Sequence, residues 1–160
     1  MDVIRGGKRQ AAKVVFLSKA LTINVRPGYG NRLAVRACAQ ALLDLTRRMV
    51  PSLTRDGKKL VPLMEWTISE MDGEGFAAFA RPVRRRWQPG EPARFIIDPA
   101  AVIGQCDSKE DIPSMMEFVV AHELGHAAEF ALGLRPSERR CREFAELWMD
   151  TGEAWRFWLD

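Results

Sequence analysis

The only two histidines of the chain stand four residues apart, in His122-Glu123-Leu124-Gly125-His126. Positions four apart on an α-helix lie about 40° from each other, one turn up the same face. Two imidazoles so placed can turn ring nitrogens towards one Zn²⁺, at about 2.0–2.1 Å from each. Glu123 stands about 100° round the helix from His122. It flanks the metal position, where a carboxylate can take a proton from an activated water. The surroundings argue against a solvated surface helix, because Phe118-Val119-Val120-Ala121 precedes the motif and Ala127-Ala128 follows it. Two ionisable rings and an acid in an apolar helix are costly unless something coordinates or pairs them. Gly125 costs roughly 0.8–1 kcal/mol in a helix interior relative to Ala. It is expected to let another backbone, such as a sheet edge or a substrate, pass close by.

A catalytic zinc usually takes three protein ligands and a water. No histidine remains, and Cys38, Cys106 and Cys141 lack metal-type pairing, so a carboxylate is the expected third ligand. Gly133 ends the motif helix near Leu132. Pro136 and Ser137 restart the chain, with Ser137 as N-cap and Glu138 in the first turn. From Glu138 to Trp158, the residues Phe144, Leu147, Trp148 and Trp155 recur at near-helical spacing. Two helices so joined run roughly antiparallel, and reflecting the motif about Arg135 selects Glu146. Glu143 falls just outside the reflected window and is the alternative, and Glu138 lies too near the turn. Asp150, one turn beyond Glu146, is the expected acid behind a ligand histidine's second nitrogen.

His122-Glu123-Leu124-Gly125-His126 followed by Glu146-Leu147-Trp148-Met149-Asp150 resembles the gluzincin pattern of zinc metallopeptidases. The resemblance implies zinc on His122, His126 and Glu146, with Glu123 as general base. The short chain and the run Phe118–Ala121 look more like the small ImmA/IrrE-type metallopeptidases of bacteria and mobile elements. On that likeness Glu138, Cys141, Phe144 and Ala145 match, Arg142 stands where Asn or Asp is expected, and Glu138 is nominated as ligand. The likeness covers roughly the last 70 residues. It implies a zincin fold in which an antiparallel edge strand beside the active-site helix pairs with an extended substrate; main-chain pairing of that kind gives affinity without demanding one sequence.

The 160 residues suffice for one domain with a real core. No apolar run is long enough to span a membrane, no export signal is read at the N-terminus, and an odd cysteine count points to reduced thiols. A cytoplasmic location is therefore expected. Net charge is +3, but residues 1–60 carry 13 Lys/Arg against three acids, whereas residues 101–160 carry 6 against 12. Such polarity can draw nucleic acid or an acidic partner to the basic part. Packing of the basic part beside the acidic helices is preferred, because no nucleic-acid-binding signature is present. Arg84-Arg85-Arg86-Trp87 is read likewise as a solvated loop.

Residues 1–12 are expected to fray. Val14–Leu17 and Leu21–Val25 read as short strands or one bent strand interrupted near Ser18-Lys19. Pro27–Gly30 is a turn containing Tyr29, the only tyrosine. Asn31 caps a helix from Leu33 to Val50, and Thr54–Lys59 is a loop. Leu63–Met71 and Phe76–Val83 form a hairpin, and Arg94–Asp98 is a further strand. Either Phe76–Val83 or Arg94–Asp98 could be the substrate-pairing edge. The fold class is α+β and zincin-like: a small antiparallel or mixed sheet against the motif helix and a glutamate-bearing helix. Within one domain, 13–60 is a basic strand-and-helix region, 61–100 the sheet and 110–160 the zinc-binding helices. The expected function is zinc-dependent cleavage of a protein or peptide substrate; the alternative is a zinc-bearing binding or regulatory protein.

Overall fold

The computed structural model describes residues 2–5, 8–11, 13–17, 20–73, 75–84, 86–153 and 155–158. The described residues are α+β, with a five-stranded mixed sheet and four α-helices among them. Strands β1 (Asp2–Arg5) and β2 (Lys8–Ala11) pair antiparallel as a separate ribbon, where fraying was expected. In the main sheet, β3 (Lys13–Leu17) runs antiparallel to β4 (Leu21–Val25). Ser18 and Lys19, the expected interruption, lie outside the described residues.

Helix α1 (Arg32–Arg48) follows β4, its Asn31 side chain accepting a hydrogen bond from the Ala34 N–H at 3.0 Å. Short strands β5 (Thr54–Arg55) and β6 (Lys58–Lys59) then form a tight hairpin where a plain loop was expected. Asp56 and Gly57 both have positive φ, at 54° and 74°; Asp-Gly tolerates this backbone, which matches the twist of paired strands.

Strand β7 (Met64–Ile68) pairs parallel with β4, so α1 lies in the crossover between them. It does not form the expected hairpin with β8 (Ala77–Phe79). Strand β9 (Ala93–Ile97) inserts between the two, parallel to β7 and antiparallel to β8. Register explains the insertion. It aligns Leu21 with Met64 and Ala93, Ile23 with Trp66 and Phe95, and Val25 with Ile68 and Ile97. All nine are buried, and Trp66 stacks on Phe95 with centroids 4.2 Å apart. A hairpin of β7 with β8 would leave Phe95 and Ile97 without these partners. Sheet order is β3-β4-β7-β9-β8, which puts β8 on an edge.

Helix α2 (Pro99–Ile103) is capped by Asp98, and the 20-residue α3 (Ile112–Ala131) carries the histidine motif. Helix α3 packs on α1, α2 and β8, and α4 (Glu138–Thr151) packs on α3. Arg48 of α1 reaches Glu117 of α3 at 2.8 Å, so the basic and acidic parts of the chain meet across this helix pair. Among the described residues, no helix is long and apolar enough to cross a membrane. Cys38, Cys106 and Cys141 are free thiols.

Phe95 occupies the middle of the central buried row. Phe95→Ala should lower stability by about 3–5 kcal/mol, read as the urea midpoint at unchanged slope. A loss below ~1 kcal/mol would contradict a core centred on that row.

Candidate metal centre

Helix α3 ends where Gly133 was expected to stop it. Leu132 is the C-cap and Gly133 has φ 71°. The Gly133 N–H donates to Phe130 O at 3.1 Å and the Leu134 N–H to Glu129 O at 2.9 Å. These two bonds satisfy the last carbonyls of the helix and reverse the chain. Ser137 then caps α4, its Oγ accepting from the Arg140 N–H at 3.1 Å. The turn is so short that Glu138, the first residue of α4, stands over the motif face of α3.

Glu138 Oε2 lies 2.8 Å from His122 Nε2, and its Oε1 lies 3.0 Å from His126 Nε2. The expected ligands Glu146 and Glu143 are not brought there. Both are exposed, and Glu143 is paired with Arg139 at 3.0 Å. Reflection about the turn considered height along the helix and ignored azimuth. Cys141, Phe144, Ala145 and Trp148 form the buried face of α4, and Glu146 stands about 140° round the helix from Cys141. Glu138, three residues before Cys141, shares its face. The close approach at Gly125 has the same origin: an added Cβ would lie 3.1 Å from Cys141 Sγ and 3.2 Å from Phe144 Cδ2. The neighbour that needs the missing side chain is therefore α4, not a sheet edge.

Asp150 is also exposed. The acid behind the ligand histidine is Glu129, which the sequence reading missed. Glu129 is fully buried, with Oε1 2.8 Å from His126 Nδ1. Its Oε2 accepts from the Ser137 N–H at 3.0 Å and from Arg140 Nη1 at 2.6 Å. The available signal was an acid three residues past His126 inside an apolar helix, where a carboxylate needs partners.

This arrangement tests whether the residues suit a metal. A carboxylate only accepts hydrogen bonds, so His126 Nδ1 carries the proton in its bond to Glu129. In a neutral ring Nε2 is then a lone pair, and it faces Glu138 Oε1 at 3.0 Å. Two acceptors that close need a cation between them, either a proton or a metal ion. Ligand atoms around a tetrahedral zinc lie ~3.3 Å apart, so the two histidine–Glu138 contacts, at 2.8 and 3.0 Å, need to open by only a few tenths of an ångström. Imidazole, imidazole and carboxylate are a donor set that zinc accepts. The residues fit. His126, Glu129 and Cys141 also lie close together, but Glu129 is committed to Arg140 and Ser137. Burial and Glu129 hold the Cys141 thiol well above its ordinary range, hence protonated.

Glu123 is buried beside His126, with the backbone N–H of Phe79 on edge strand β8 near its carboxyl. Burial pushes its carboxyl up to about 7; the His126 charge and the Phe79 N–H pull it down, and Glu138 adds to the rise. Burial also raises Glu138, but its hydrogen bonds and charge interactions with His122 and His126 outweigh that and leave it lowered. A cleft of about 280 Å³ opens between β8 and the start of α4, lined among others by Ala77, Phe79, Arg81, Glu123, His126 and Glu138. Tyr29 is elsewhere, its hydroxyl donating to Asp98 Oδ1 at 2.7 Å and accepting from the Ala100 N–H at 2.8 Å. In the arginine loop, Arg85 lies outside the described residues, Arg84 pairs with Glu91, and Trp87 packs edge-on against Phe130.

Compared with protein families, curated proteins and solved structures, the chain matches none.

Zinc titrated into purified protein should bind at one equivalent. Alanine at His122, His126 or Glu138 should abolish or strongly weaken that binding, and alanine at Glu143 or Glu146 should leave it intact. Loss with Glu146→Ala and retention with Glu138→Ala would reverse the ligand assignment.

A raised carboxyl also makes stability depend on pH. Between the ordinary glutamate value of 4.5 and about 7 the folded state holds the Glu123 proton more tightly than the unfolded chain. Its stabilising effect is therefore complete at low pH and is lost as pH rises through 7. Metal-free native protein should lose up to ~3 kcal/mol more than Glu123→Gln over that interval, measured by denaturant unfolding at each pH. Parallel profiles would refute the buried, protonated Glu123.

Proposed function

We propose that the chain is a zinc-dependent peptidase of the gluzincin kind, similar to the small ImmA/IrrE-type enzymes. The observation that carries the reading is the convergence of His122 Nε2 and His126 Nε2 on one Glu138 carboxylate, with a buried acid, Glu123, next to them. Glu138 is also the glutamate that the ImmA/IrrE likeness nominates. His122, His126 and Glu138 would hold zinc, which when bound supplies the Lewis acidity that polarises a carbonyl and activates water near neutral pH.

The remaining work falls to the chain's own residues. Glu123 accepts the proton of the attacking water and returns it to the leaving amine, the task of a buried carboxyl placed beside the ligands. Glu129 keeps the proton of His126 on Nδ1 and so keeps Nε2 directed at the site. Strand β8 offers an edge on which an extended peptide can lie. Residues 76, 78 and 80 face β9, the Ala80 N–H donating to Arg94 O at 2.9 Å and Phe76 O accepting from the Asp98 N–H at 2.8 Å. Ala77 therefore turns its backbone groups outward, towards a substrate strand. Three free thiols suit a reducing, cytoplasmic setting, with a protein or peptide as substrate.

A second reading, a zinc-bearing binding protein, draws on the engagement of Tyr29 away from the cleft, which leaves no tyrosine or third histidine to steady an oxyanion. Glu123→Gln separates the two. A peptidase variant should keep its zinc and lose cleavage of a denatured protein mixture by about 10²–10⁴-fold, scored by mass spectrometry of new termini. Zinc-loaded native protein that generates no new termini would favour the binding protein.

A further inference from the structure

Arg81 follows the edge strand by two residues and lines the same cleft as Glu123, His126 and Glu138. Several arginines of the described chain are paired with carboxylates, Arg140 with Glu129, Arg139 with Glu143, Arg84 with Glu91 and Arg48 with Glu117, but none of these lines the cleft. Arg81 has no carboxylate partner among the described residues. Its partners are neutral. Nη2 donates to Leu134 O at 2.7 Å, and the guanidinium sits 5.4 Å from the centroid of Phe130. Those two contacts orient the head group of an otherwise exposed side chain at the lip of the cleft while using one of its five N–H donors.

The anchoring matters for binding, because a guanidinium already held in place loses little freedom when it grips a ligand. Its position sets what it can reach. Phe79 and Arg81 line one cleft with Glu123, and two residues span at most ~7 Å, so Arg81 stands within about two residues of the reacting bond of a peptide laid along β8. Ala77 and Ala78, which also line the cleft, carry small side chains. A planar, uncompensated cation with free paired donors matches a carboxylate.

We infer that Arg81 selects substrates carrying a carboxylate within about two residues of the scissile bond, either an acidic side chain or a free C-terminus. This rests on the peptidase reading.

The test uses zinc-loaded Glu123→Gln protein and the same protein with Arg81→Ala or Arg81→Lys. The probes are dye-labelled hexapeptide pools that differ at one fixed position, Glu against Gln, and pools ending in a free acid against an amide. Fluorescence anisotropy reads affinity, zinc content is measured on each sample, and thermal melting checks each fold. The expected result is about tenfold tighter binding of one carboxylate-bearing pool over its neutral counterpart. That preference should vanish in Arg81→Ala and survive in part in Arg81→Lys. The pool that shows it identifies the source of the carboxylate. Equal affinity for charged and neutral pools, equal weakening of both by Arg81→Ala, or no binding of any pool by zinc-loaded protein would overturn the inference. Absence of zinc from the parent protein would instead sink the peptidase reading.

Discussion

A single buried carboxylate organises the C-terminal half of this molecule. Glu129 leaves α3 fully covered, and each of its oxygens serves a different element. One fixes the proton of His126; the other takes the Ser137 N–H and Arg140 at the start of α4. A bare carboxylate in that position would be strongly destabilising, and its partners offset the cost of desolvation only while all are present. Ring orientation and helix placement are therefore one event. When α4 docks on Glu129, Glu138 arrives beside both imidazoles, because it is the residue next to Ser137.

The sheet contributes from the opposite side. The row Ile23–Trp66–Phe95–Phe79 crosses four strands and continues through Phe79 and Trp87 onto Phe130 of α3. Stacked rings and β-branched side chains hold β8 against the helix, which brings a backbone N–H to Glu123. The surroundings of Glu123 are thus set by the same core that gives the domain its stability.

Much of this was legible in the residues, and what was not had a physical cause. The histidine pair, the Asn31 and Ser137 caps and the Gly133 stop are local signals, and each acts within a turn of where it is read. The Asp56-Gly57 hairpin was local too and was passed over because its strands are two residues long. Strand order was not local: β9 enters between β7 and β8 for the sake of rows formed across the sheet, which no spacing along the chain encodes. The acid facing the histidines was misjudged for a different reason. Position along a helical hairpin can be estimated by counting, but which acid faces inward depends on azimuth, and Cys141 and Phe144 define it. Glu129 was overlooked because acids on helices usually face water; its setting among Ala127, Ala128 and Phe130 was the available clue.

The three residues that converge at the cleft are unequally constrained. His126 is backed by Glu129 and held in a packed helix, and His122 is mostly covered, whereas the Glu138 side chain is 79% exposed. Among the described residues its carboxylate contacts only the two rings. Immobilising a free glutamate forfeits ~1.5–2 kcal/mol of rotamer entropy, and that cost falls on this one member. The cluster is thus a two-point seat with a hinged third arm, and on the proposed reading the arm, not the seat, would set how readily a cation is captured or released.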